Sequence, residues 1–163
     1  MTGQVRKILP LWHYGWCDHD CLPVPPSHSP EEVIAHYIQS DEFGTSFVGP
    51  KRDSLVDIHG PFLRAAISHS DFELISHKEF SYLLASIRQP SGFSSPASDD
   101  DWKPVLYLAS EVVKRNECCF KLRFTENDFE KFHEWGSVLD VFREFIFVKA
   151  GCEAFERLVF GFD

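Results

Sequence analysis

Two serines, each three residues ahead of a glutamate, constrain this chain more than any other feature. Ser29 is followed by Pro30 and Glu32, and Ser76 by Glu79. In each case the serine oxygen can accept from a free N–H of a helix's first turn while the glutamate reaches back to the capping residue. Val33, Ile34, Tyr37 and Ile38 then fall on one helical stripe, predicting an amphipathic helix over residues 30–40. Phe80, Leu83, Leu84 and Ile87 do the same for residues 77–88. Between the two lie TSFV, SLVDI, PFLRAAIS and FELIS, short β-rich runs punctuated by Gly49-Pro50 and Gly60-Pro61.

Further along, QPSGFSSPASDDD predicts a flexible surface loop over residues 89–101. VLYLASEVV, the polar KRNE and CCFKLRF have hairpin form. Thr125 with Asp128 predicts the start of a helix carrying Phe129 and Phe132. It breaks at Gly136-Ser137 and resumes through Val138, Leu139, Phe142, Phe145 and Ile146. The closing CEAFERLVFGFD is apolar enough to dock as helix or strand. Val5 to Trp16, with Pro10 inside it, suits an edge strand or an extended entry to the sheet. Strands interleaved with helices, and no glycine-rich strand-to-helix loop, predict an α+β single domain over 1–163, a mainly antiparallel sheet with three to four flanking helices.

The chain carries 25 Asp and Glu against 16 Lys and Arg, a formal net charge of -9. Contact with a nucleic-acid backbone requires clustered Lys and Arg, which are missing, so direct nucleic-acid binding is not expected. No run of apolar residues is long enough for a membrane span. The N-terminal stretch lacks the form of a signal peptide, and five cysteines suit reduced thiols, so a cytoplasmic location is expected.

Residues 12–21, WHYGWCDHDC, gather several metal-ligand types. In an extended strand His13, Cys17, His19 and Cys21 share one face, and Trp12, Tyr14, Trp16, Asp18 and Asp20 the other. Same-face neighbours of a flat strand stand ~6.5–7 Å apart, so zinc could be held only if the chain bends at Gly15 or Pro23. The alternative is an aromatic strand with Cys17 as a small buried hydrophobe and both aspartates in a solvated turn. His59, His69 and His77, with Asp57 and Asp71 nearby, could supply an acid–base pair, but no nucleophile motif accompanies them, and an enzymatic role is not the favoured reading. Cys118 and Cys119 should point to opposite faces of a strand. Asp99, Asp100 and Asp101 with Trp102, and Glu134 with Trp135, combine carboxylates with aromatics expected to be exposed, the pattern of an interface for a basic protein partner.

VLYLASEVVKRNECCFKLRFTENDFEKF followed by WGSVLDVFREF, a hairpin and then helices, resembles in pattern the immunity proteins that neutralise bacterial polymorphic or contact-delivered toxins. That resemblance implies a cytosolic inhibitor capping a basic toxin or nuclease and transfers no individual functional residue. Three other roles fit the same chain: a phage-encoded inhibitor of a host nucleic-acid-binding system, a metal-binding protein or metalloenzyme built on His13, Cys17, His19 and Cys21, and a structural subunit whose acidity serves solubility.

Overall fold

The computed structural model describes residues 5–12, 15–25, 29–44, 47, 57–88, 98–134, 136, 139–151 and 153–162. Their chain is an α+β domain. β1 (Val5–Trp12), β2 (Gly15–Pro23), β8 (Ala154–Phe162), β7 (Val141–Val148), β6 (Cys118–Leu122) and β5 (Phe72–Ile75) form one sheet in that spatial order, every neighbouring pair antiparallel. The two-residue strands β3 (Ile58–His59) and β4 (Phe62–Leu63) make a separate small hairpin.

Three helices, α1 (Pro30–Gln39), α2 (His77–Arg88) and α3 (Asp99–Arg115), cover the large sheet. α1 and the small hairpin bury Tyr37, Phe43, Phe47 and Phe62 on one face, against Phe142, Ile146 and Val159. α2 and α3 bury Phe80, Leu84, Trp102 and Val105 on the other, against Phe145, Phe147 and Phe160. Helix, sheet and helix therefore form three layers around two cores.

The predicted caps at Ser29 and Ser76 both form, with Ser29 Oγ accepting from Glu32 N and Ser76 Oγ from Glu79 N. Cys119 is buried against α2 and α3 while Cys118 packs toward the α1 core, as adjacency on a strand requires. Elsewhere the structure corrects the sequence reading. The edge strand is β1, Val5–Trp12 with Pro10 in it, whereas Gly15 and Trp16 belong to β2, which lies inside the sheet.

Residues 105–115 are helix rather than the first arm of a hairpin. Trp102, Val105, Ala109 and Val112 recur at three- and four-residue steps, and that period prevails over the β propensity of VLYLASEVV. The expected loop over 89–101 is shortened accordingly. Ser98 caps α3 and Asp99–Asp101 form its first turn, while residues 89–97 lie outside the described part. Thr125 N does donate to Asp128 Oδ2, but the chain then makes a single 3₁₀ turn, Phe129–Lys131, in place of the expected helix. The expected second helix is β7, whose VFREFIFV is buried on both sides because helices cover both faces of the sheet. Most of TSFV and SLVDI lies outside the described residues.

Candidate functional site

Alternation along the strands sends Asp20 of β2, Glu144 of β7 and Arg157 of β8 to the α1 face, where apolar side chains surround them. All three are fully buried, as are Tyr37 of α1 and His59 of β3. Charges so placed persist only when partnered. Arg157 donates through Nε (3.2 Å) and Nη2 (2.6 Å) to Asp20 Oδ2, and through Nη1 to Tyr37 Oη (2.6 Å) and the Glu42 carbonyl (3.0 Å). Tyr37 Oη donates to Glu144 Oε1 at 2.5 Å, and His59 Nε2 lies 2.6 Å from Glu144 Oε2. His59 Nδ1 meets the Phe43 carbonyl. Five side chains from α1, β2, β3, β7 and β8 thus form one continuous chain of hydrogen bonds, with the Arg157 guanidinium 4.8 Å from the Phe47 ring centre.

The electrostatics arise from that geometry. Burial pushes the Glu144 carboxyl upward, but its contacts with His59, Arg157 and Tyr37 together hold it below the ordinary range. Burial raises the Tyr37 phenol well above its usual value, so its one proton stays available for Glu144. Arg157 is raised despite burial, by Tyr37, Asp20 and Glu144.

A second cluster stands on the opposite face. Glu156 of β8 accepts from His19 Nε2 (2.8 Å), Arg115 Nη2 (2.8 Å) and Asn116 Nδ2 (2.9 Å), tying β2 and the end of α3 to β8. Burial works against ionisation here, but these three hydrogen bonds outweigh it and place the Glu156 carboxyl at about 2. Cys21 lies opposite Glu156 in the strand register; partial burial and the Glu156 charge push its thiol upward.

These positions settle where the expected metal ligands go. Cys17 is buried among the α2–α3 core side chains, and that burial raises its thiol far above the usual value. His19 gives its Nε2 to Glu156, and His13 lies outside the described residues. β2 pairs with β8 in unbroken register from Gly15 through Pro23, and among the described residues no group of three His, Cys, Asp or Glu could hold a metal ion. Asp18 and Asp20 correct the solvated-turn expectation: both are buried mid-strand, facing Arg6 and Arg157. His59 is oriented by a carboxylate, though by Glu144 rather than Asp57. His69 lies in a 3₁₀ turn whose Asp71 is engaged with Ser68.

The expected partner-binding residues divide. Trp102 is not exposed; it lies at 0% accessibility, stacked on Phe160. Asp101 caps α3 with Ser98, Asp100 meets Lys103, and Asp99 pairs with Arg88. These carboxylates suit the positive end of α3, an explanation the sequence alone did not offer them. Glu134 is exposed but belongs to the other side of the molecule, since Phe132 packs on the α1 core. Trp135 lies outside the described residues.

Phe129, which the sequence reading set on a helix face, is 68% exposed. It tops a turn carrying Glu126, Asp128, Glu130 and Glu134, with Glu130 and Glu134 exposed to solvent. Lys131 Nζ sits 4.0 Å from the Phe124 ring centre, a cation–π contact. Glu126 is held by Arg143 at 2.7 Å. The turn is anchored from below, since Phe132 bridges Phe62, His133 N donates to the Pro61 carbonyl (3.1 Å), and the His133 ring contacts the Gly60 carbonyl (3.1 Å).

Comparison with protein-family models, with curated proteins and with solved structures returns no match. Among the described residues no helix is long and apolar enough to cross a membrane.

Proposed function

We propose that this protein is an interaction module that binds and neutralises a basic protein partner in the cytosol, in the manner of a toxin immunity protein. The observation that carries the reading is Phe129, an exposed aromatic on an acidic turn whose lysine sits over the Phe124 ring. Interfaces concentrate their energy in a few aromatic anchors, and surrounding charge sets partner sign and association rate. Glu130 and Glu134 supply that charge, so Glu134 stays in the interface while Trp102 leaves it. Asp99–Asp101 form a separate acidic patch, already engaged in holding the start of α3.

The partner expected is a protein rich in Lys and Arg. The products of genes flanking this one are the candidates to assay by titration calorimetry against the purified chain. A 1:1 complex whose affinity falls as salt rises, together with protection of cells expressing that product, supports the reading. Binding unaffected by salt, or no binding by any basic neighbour, rejects it.

A further inference from the structure

His59 is the one member of the buried chain that joins the core to the surface turn. Both of its ring nitrogens face acceptors: Nε2 faces Glu144 Oε2 at 2.6 Å and Nδ1 faces the Phe43 carbonyl. A carbonyl oxygen has no hydrogen to give. Glu144 has none either, because its carboxyl is held below the ordinary range and is ionised, its other oxygen accepting from Tyr37, which in turn accepts from Arg157. A neutral imidazole has only one N–H and would leave a lone pair against one of the two.

The charges around the ring lead to the same conclusion. From β7 comes Glu144, from α1 the Tyr37 hydroxyl, and from β8 Arg157, which is matched by Asp20 of β2. Arg64 gives its Nη2 to the Ile38 and Ser40 carbonyls, its guanidinium 5.6 Å from the Phe43 ring that stacks on the imidazole at 3.8 Å. Among the described residues, with Arg157 paired to Asp20, His59 is the basic side chain in hydrogen-bond contact with Glu144.

We propose that His59 is a buried imidazolium that locks the β3–β4 hairpin to the core and so holds the Phe129 turn in its docking position. The link is continuous in the chain: after His59 come Gly60 and Pro61, whose carbonyls receive the His133 ring and backbone N–H, and Phe62, which bridges Phe132. Loss of the ring proton would set a lone pair against the Glu144 carboxylate or the Phe43 carbonyl and loosen the hairpin, so partner binding would depend on the charge of a residue that touches no partner. That last consequence rests on the interaction reading; the charge and the coupling do not.

Nitrogen-15 NMR of the wild-type imidazole at neutral pH tests the charge directly. Both ring nitrogens protonated is the expected result, and a neutral ring of either tautomer overturns the proposal. Amide hydrogen exchange tests the coupling. In His59→Gln, which can donate to one acceptor but not to both across the ring's span, the His133 amide should exchange about tenfold faster or more while the β2–β8 ladder keeps its protection. An unchanged His133 amide overturns the coupling. Should that variant fail to fold, the same two regions are compared in wild type as pH is raised until the ring loses its proton. Selective loss at His133 supports the coupling and parallel behaviour refutes it. Neither measurement involves a partner, so failure here is distinguishable from failure of the interaction reading.

Discussion

Replacing Tyr37 with Phe removes one oxygen and keeps the ring, and the structure specifies what that oxygen does. It donates to Glu144 Oε1 at 2.5 Å and accepts from Arg157 Nη1 at 2.6 Å, all at full burial. Arg157 Nη1 retains the Glu42 carbonyl at 3.0 Å, so its loss is partial. Glu144 Oε1 loses its hydrogen bond from the hydroxyl, and a hydrogen bond to a charged group contributes about 1.5–3 kcal/mol. The Arg157 loss adds about 1 kcal/mol, and the new apolar edge recovers little, giving an expected destabilisation of about 3 kcal/mol. That is a sizeable part of the ~5–15 kcal/mol typical of a domain. Urea denaturation followed by far-UV circular dichroism reads it as a lower midpoint at unchanged slope. A loss below about 1 kcal/mol would mean that the hydroxyl is not the joint between Arg157 and Glu144, and the continuous buried chain would have to be abandoned.

Acid should destabilise the protein through Glu156. Its carboxyl is lowered from 4.5 to about 2, so its contribution is present above 4.5 and disappears as pH falls toward 2; in Glu156→Gln the stability lost across that window should shrink. Thermal melts of both proteins at pH 6, 4 and 2.5 check this. Gly161→Ala drives a methyl group into the Trp16 indole across the β2–β8 pair, and overpacking of this kind costs about 1–3 kcal/mol, read from the same urea curves. Ser98→Ala removes the acceptor for Asp101 N and should cost about 1 kcal/mol, with the earliest amide-exchange losses in the first turn of α3.

Local signals in the chain were readable where their chemistry is local. The caps at Ser29 and Ser76 act within four residues, and both helices begin where the caps place them. β7 escaped because a strand covered on both faces loses its alternation, and its closely spaced phenylalanines fit a helical period as well as an extended one. Asp20 and Arg157 stand 137 residues apart, and neither residue's surroundings in sequence announce the other. The aspartates of WHYGWCDHDC therefore looked like a turn until the C-terminal strand arrived beside them. Glu144 as the partner of His59, 85 residues away, was hidden for the same reason. Phe129 was misplaced by the helix expected after Thr125: the cap is present, but the chain leaves after one turn because Phe132 is drawn to Phe62.

The interaction reading stands or falls on Phe129. Titration calorimetry of the wild type and of Phe129→Ala against the basic flanking-gene product, at two salt concentrations, measures it most directly. An aromatic anchor contributes about 2 kcal/mol or more, so the variant should bind about thirtyfold more weakly while its urea midpoint stays that of the wild type. Equal affinity of the two proteins for that partner would contradict the assignment of this surface.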